Sequence, residues 1–166
     1  PETNMLSIDT GYLRAYGQYP YGNYLTSNST LFPVDNAGDN RMHPKSRAIG
    51  VLLGDTTKVY EISKFSADIQ VINDTIAGQD VVVIGSAESR FGVALSRQFE
   101  SETLELIAVF DEDRFHIQDQ HGRLWDILGR GVSESIKTKK LNSVNQYTAY
   151  WFAWAAFFND VQIHEF

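Results

Sequence analysis

Two short segments of the sequence have residue types that could line a reactive or ligand-binding site. The first is Gly85-Ser86-Ala87-Glu88-Ser89, where a hydroxyl and a carboxylate directly follow an apolar run. A serine nucleophile commonly stands in a Gly-x-Ser-x-Gly turn between a strand and a helix. This segment has neither that pattern nor a helical pattern after it. We therefore assign no catalytic residue here and keep Ser86 and Glu88 as candidate pocket residues.

The second segment contains Trp125, Asp126 and Arg130, next to the glycines Gly129 and Gly131. Adjacent strand residues point to opposite faces, so Trp125 and Asp126 face opposite sides. An ion pair between Asp126 and Arg130 would stabilise the glycine-rich turn. Alternatively, the two charges line a pocket with an apolar wall. We take Trp125 or Tyr150 as that wall, and both interpretations stay open.

The sequence offers little for a metal or a covalent intermediate. It contains no cysteine, which excludes thiolate catalysis, thiolate metal sites and disulfide bonds. His116 and His121 are five residues apart, whereas two ligands on one face of a strand stand two apart. The acidic turn at residues 111–113 lacks the glycine and final glutamate of a calcium loop. We expect no metal and no cofactor.

Composition and charge limit the partners. A length of 166 residues suits one domain, and the net charge of −7 argues against nucleic acid, which prefers a basic face. No apolar run reaches the ~18 residues that a membrane-spanning helix needs. We expect a protein partner or self-association, with no nucleic acid and no membrane span.

Residues 1–40 form a segment rich in Tyr, Asn, Gly, Asp and Ser, which we call the Tyr-rich arm. Its tyrosines follow neither strand nor helix periodicity, and its glycines and prolines indicate turns. Tyrosine can bury its ring while its hydroxyl stays hydrated. We predict an ordered, irregular arm that packs on the body or contacts a partner, and disorder is the alternative. The candidate interface residues are Tyr12, Tyr16, Tyr19, Tyr21 and Tyr24.

Residues 41–166 read as a β-rich domain. Two apolar runs, 47–53 and 57–62, flank Gly54-Asp55 and predict a hairpin. The β-branched run 81–84 predicts a central strand buried on both faces. About eight short strands with turns every 8–12 residues predict an antiparallel barrel-like fold or sandwich. We predict that residues 73–75 shape a turn.

One late segment reads as a helix instead. Aromatic residues in 147–158 recur at three- and four-residue spacing, which predicts a helix with one aromatic face. Four alanines within it favour the same structure. We expect it to pack on the sheets and to be capped by Asn145 or Ser143.

Several motifs resemble a bacterial family of unknown function whose longer members are known as domain-containing (seleno)proteins. The matching segments are 7–12 with 20–24, 32–34 with 43–45, 71–75 with 77–78, 124–130, and 151–157. Many relatives carry a Cys-Pro-Leu-Cys-like element where this chain has Gly85–Ser89, so their thiol or selenol chemistry does not carry over. The resemblance implies that this chain corresponds to the second of two related halves of longer members.

We therefore expect a non-catalytic binding or assembly module of the bacterial envelope, periplasmic or extracellular. The alternative is an enzyme, or a degenerate half of a redox protein, with a pocket near residues 85–89, 126 and 130. A Gly85–Ser89 segment that lines one closed cavity with Asp126 and Arg130 would favour the alternative. A Tyr-rich arm that lies across a neighbouring chain would favour assembly.

Overall fold

The computed structural model describes residues 7, 9, 11–14, 17–111 and 114–166. Within them the chain is mainly β with one C-terminal α-helix, which confirms the predicted fold class. No sheet of these residues closes into a barrel, and the arrangement is nearer to a sandwich. The elements are β1 (Arg47–Leu53), β2 (Thr56–Glu61), a 3-10 turn (Ile62–Lys64), β3 (Gln70–Ile76), β4 (Gln79–Ser86), β5 (Phe91–Ser96), β6 (Gln98–Phe99), β7 (Glu102–Thr103), β8 (Leu106–Asp111), β9 (Arg114–Asp119), β10 (Leu124–Trp125), a 3-10 turn (Glu134–Ile136), β11 (Gln146–Tyr150), α1 (Trp151–Phe157) and β12 (Gln162–Ile163).

The strands form three main sheets, ordered β11-β1-β2-β12, β3-β4-β5 and β10-β9-β8, with a small β6-β7 pair. All pairings are antiparallel except β12 with β2. The predicted β1–β2 hairpin is confirmed, with Leu53 opposite Thr56. β4 is the middle strand of its sheet. Its Val81 and Val83 side chains face one apolar cluster, and those of Val82 and Ile84 face another. This confirms burial on both faces.

Two amide side chains join the edges of neighbouring sheets. Asn73 on β3 donates to the carbonyl of Leu106 at 2.7 Å and accepts from the Leu106 N–H at 3.1 Å. Gln146 on β11 makes the same two-way contact with the backbone of Ala94 on β5. The predicted turn at residues 73–75 is therefore wrong. These residues lie within β3. The Asn73 side-chain amide makes the hydrogen bonds to the β8 backbone that a neighbouring strand would otherwise make.

The aromatic segment begins as a strand rather than as a helix. Its first residues pair with β1, with Tyr147 opposite Gly50 and Tyr150 opposite Arg47. The predicted start of the helix and its side-chain cap are therefore wrong, since α1 begins at Trp151 and has no side-chain cap. Strand pairing with β1 satisfies these backbone groups and overrides the local helix preference.

Trp154 anchors the helix on the first sheet. Its ring is fully buried, stacks on Tyr147 at 4.2 Å, and donates its N–H to the Ala48 carbonyl at 3.2 Å. Gly50 lies beneath it, where a Cβ would come within 2.7 Å of Cζ3. The aromatic face is only partly covered, because Phe157 is 81% exposed.

Candidate functional site

A basic cleft of about 410 Å³ lies between the Tyr-rich arm, the start of β1 and the turn from β4 to β5. Its volume falls in the usual range for small-molecule sites. Both β11, through Tyr150, and the turn after β2 contribute to its walls. The lining residues are Leu25, Lys45, Ser46, Arg47, Ile62, Ser63, Ala87, Arg90 and Tyr150.

Three cations meet at this cleft, although the chain as a whole is acidic. Among the described residues, six other lysines and arginines pair with carboxylates elsewhere. Lys45, Arg47 and Arg90 have no such partner among the described residues. No ion pair among the described residues therefore neutralises these three charges, and positive charge of this kind favours an anion in the cleft.

Lys45 differs from the two arginines because its side chain is buried. Its ammonium donates to the carbonyls of Ser29 at 2.6 Å and Ser27 at 3.4 Å, and lies 4.1 Å from the centre of the Tyr24 ring. Burial lowers the pKa of Lys45 from its ordinary value. Since carbonyls of the arm accept from two of its three N–H donors, Lys45 contributes mainly charge to the cleft.

The arginines keep their donors available. Arg47 and Arg90 are exposed, and neither guanidinium donates a hydrogen bond to any described residue. Ser46 and Ser63 also line the cleft, but both hydroxyls donate to one oxygen of Glu61, at 2.7 and 2.8 Å. Glu61 is thus a carboxylate behind the cleft that opposes an entering anion.

The turn from β4 to β5 carries the first pair of predicted site residues. Ser86 is buried, donates its hydroxyl to the Ala67 carbonyl at 2.7 Å and accepts from the Ser89 N–H at 3.0 Å. Ser86 therefore shapes the turn, and Glu88 is exposed on it. The turn reaches the cleft through its other residues, Ala87 and Arg90.

The second group of predicted site residues lies elsewhere. Trp125 is fully buried, meets Phe99 edge-to-face at 5.0 Å and donates its N–H to Asp119 at 3.0 Å. Asp126 accepts backbone N–H bonds from Leu128 and Arg130 and closes the turn there. No ion pair joins the side chains of Asp126 and Arg130.

This turn packs next to Leu95 on β5, roughly 13 Å along the strand from the β4–β5 turn. Neither Asp126 nor Arg130 lines the basic cleft. Of the predicted pocket residues, only Tyr150 lies at the cleft itself, stacked on Phe152 at 5.9 Å.

The Tyr-rich arm borders the cleft and contacts the helix. Tyr19, Tyr21 and Tyr24 form a chain of rings with centres 5.6 and 6.5 Å apart, and Leu25 lines the cleft. A separate cleft of about 480 Å³ lies where residues 28–39 approach α1. Tyr12 is exposed, and the candidate interface residue Tyr16 lies outside the described residues.

A second cluster of titratable groups surrounds Asp74 on β3. One Asp74 oxygen accepts from Lys58 at 2.6 Å and from Tyr60 at 2.5 Å, and His164 lies 3.7 Å away. Burial raises the pKa of Tyr60 and lowers that of His164. Tyr60 is fully buried and the other three side chains are 16–18% exposed, so this cluster joins β3 and the residue after β12 to β2.

Neither a metal site nor a membrane helix emerges from the described residues. No three His, Asp or Glu side chains among them are placed to share an ion. No helix within the same ranges has the length and apolar character to span a bilayer.

Sequence reasoning missed the three cations of the cleft. Lys45 and Arg47 are near each other in sequence, but Arg90 is more than forty positions away, and the basic residues look evenly spread. The only signal was the position of Arg90 directly after the Gly85–Ser89 segment.

The chain belongs to a family of proteins of unknown function, DUF3179, whose model matches residues 1–161. The searches of the curated proteins and of the solved structures found no significant match.

Proposed function

We propose that this DUF3179 member is a non-catalytic assembly module of the bacterial envelope or extracellular space, and that its partner is a second copy of the same chain. The observation that carries the proposal is the apolar surface on the Tyr-rich arm. Exposed apolar side chains concentrated in one segment mark interaction sites. The large apolar residues exposed on the described part of the arm are Tyr12 (70%), Leu13 (108%), Tyr19 (48%), Tyr21 (61%), Leu25 (45%), Leu31 (68%) and Phe32 (59%).

Charge complementarity favours a second copy as the partner. The basic cleft lies directly beside the exposed arm, and the rest of the chain has an excess of carboxylates. A second copy therefore brings acidic groups to a cleft whose cations have no acidic partner among the described residues. Tyrosine rings next to arginine are also the residue types that dominate protein interfaces.

The test is the concentration dependence of the molar mass, measured by size-exclusion chromatography with light scattering between about 1 and 200 µM, a range that covers weak and moderate assembly. We expect the mass to rise from one chain to two. Tyr12→Ser with Tyr21→Ser should abolish the rise, because it removes exposed apolar contacts.

The matched control is Ile107→Ser with Phe110→Ser on β8, each 57% exposed. This variant removes comparable apolar surface on a strand outside the arm and should still associate. A mass of one chain throughout the range, or an equal loss of association in both variants, would contradict the proposal.

The second candidate function is an enzyme, or a degenerate half of a redox protein. The observation in its favour is that Ala87 and Arg90, from the turn where relatives carry a Cys-Pro-Leu-Cys-like element, border the cleft. Against it, Asp126 and Arg130 do not border the same cleft. The relation to longer (seleno)proteins, and to the second half of their chains, remains part of this proposal and rests on the shared motifs.

A further inference from the structure

The basic cleft combines two available guanidinium groups with apolar side chains. A guanidinium is a planar fork of donors that matches a carboxylate or a phosphate, and Arg47 and Arg90 both border the cleft. Leu25, Ile62 and Tyr150 supply apolar surface in the same space. This pairing of an anion-binding fork with an apolar wall is typical of sites for small organic acids.

The backbone of Arg90 supports a role for its side chain. Arg90 ends the four-residue turn between Ser86 and Phe91 and has a φ of 55°. This left-handed conformation disfavours residues with a Cβ, and glycine adopts it without strain. Non-glycine residues in such positions concentrate at functional sites. Asn36, Ala77 and Glu100 have similar φ values, and of these four residues only Arg90 borders the cleft.

We propose that the cleft binds a small organic acid, whose carboxylate or phosphate head contacts Arg47 and Arg90 and whose apolar body lies against Tyr150. Lys45 adds positive charge from its buried position, so the cleft has three cations against the one carboxylate of Glu61 behind the two serines. The inference concerns one chain and goes beyond self-association, and in an assembly the small acid would compete with carboxylates of the second copy for the same cleft.

The experiment titrates the chain with octanoate and with octyl phosphate, which share an apolar body and differ in the anionic head. Octanol supplies the body without the charge, and acetate supplies the head without the body. Binding is followed by NMR through the Nε–H signals of the arginines. The Tyr12→Ser, Tyr21→Ser variant at low concentration is used, so that failure of this inference is separate from failure of self-association.

We expect one or both amphiphilic anions to shift the signals of Arg47 and Arg90, and the stronger of the two identifies the preferred head. Octanol and acetate should bind at least about tenfold more weakly. Arg47→Gln and Arg90→Gly should each weaken binding roughly tenfold or more, the expected loss of a charge-assisted contact. Arg114→Gln, which changes an exposed arginine on β9, is the matched control and should bind normally.

Arg90→Gly also separates ligand binding from a structural role. Glycine relieves the left-handed backbone, so the thermal midpoint should stay level or rise while the affinity falls. The inference would be overturned if neither anion shifted the two arginine signals, or if octanol bound as tightly as octanoate. It would also be overturned if Arg47→Gln and Arg90→Gly bound the anions as tightly as the Arg114→Gln control does. A fall in thermal midpoint with unchanged affinity in Arg90→Gly would do the same.

Discussion

The contact between Gly50 and Trp154 allows a quantitative test of how the aromatic helix is seated. The Trp154 ring stacks on Tyr147, lies over Gly50 and is fully buried. A methyl group at position 50 overlaps the ring, which also packs against Phe158. Gly50→Ala should therefore destabilise the fold by about 2–3 kcal/mol, at the upper end of overpacking effects.

Trp154→Ala should cost about 3–5 kcal/mol, since it removes a buried aromatic side chain and leaves a cavity. In the double variant the methyl group added at position 50 has room in that cavity, so its own cost disappears. The double variant should then be about as stable as Trp154→Ala alone, a coupling of about 2 kcal/mol between the two positions.

The assay is urea unfolding followed by far-ultraviolet circular dichroism, which does not depend on the tryptophan that is removed. Gly38→Ala is the matched control, because a Cβ there meets no atom within 4 Å, and it should change stability by less than about 0.5 kcal/mol. Costs that add to within ~0.5 kcal/mol in the double variant would refute the packing of Trp154 on Gly50.

Two further predictions concern polar groups within the sheets. Asn73→Ala should cost about 2 kcal/mol in urea unfolding, because the Leu106 backbone loses both of its partners, whereas Thr75→Ala, which removes one exposed hydrogen bond to Asp80, should cost less. Burial raises the pKa of Asp74, but bonds from Lys58 and Tyr60 bring it below its ordinary value of 3.8. The stability that ionised Asp74 contributes should therefore be fully present above about pH 4 and be lost as the pH falls further. In acid unfolding curves, Asp74→Asn should make the free energy of unfolding fall less steeply over this range.

Local patterns were enough to predict the regular parts of the fold. Glycine followed by aspartate between two apolar runs predicted the β1–β2 hairpin, and four β-branched residues in a row predicted the doubly buried β4. The aromatic spacing predicted a helix from residue 147 onward. In the structure the first four of these residues belong to β11, and the helix follows directly. Their pairing with β1, about a hundred residues away in sequence, decided the outcome.

The cleft depended even more on long-range placement. Tyr150 was a candidate from sequence, and the structure places it with Arg47, its partner in the β1–β11 register. The approach of Arg90 to the same space follows from the β4–β5 hairpin and from how its sheet packs on the first. A single sequence encodes such packing only through the sum of its core contacts, so the three cations could not be grouped in advance.

The most direct test of the proposed assembly is amide hydrogen exchange of residues 17–34 at two protein concentrations, about 2 and 200 µM. If the arm lies across a second copy, its amides should become slower to exchange at the higher concentration, while those of β4 stay the same. Equal exchange of the arm at both concentrations would contradict the account.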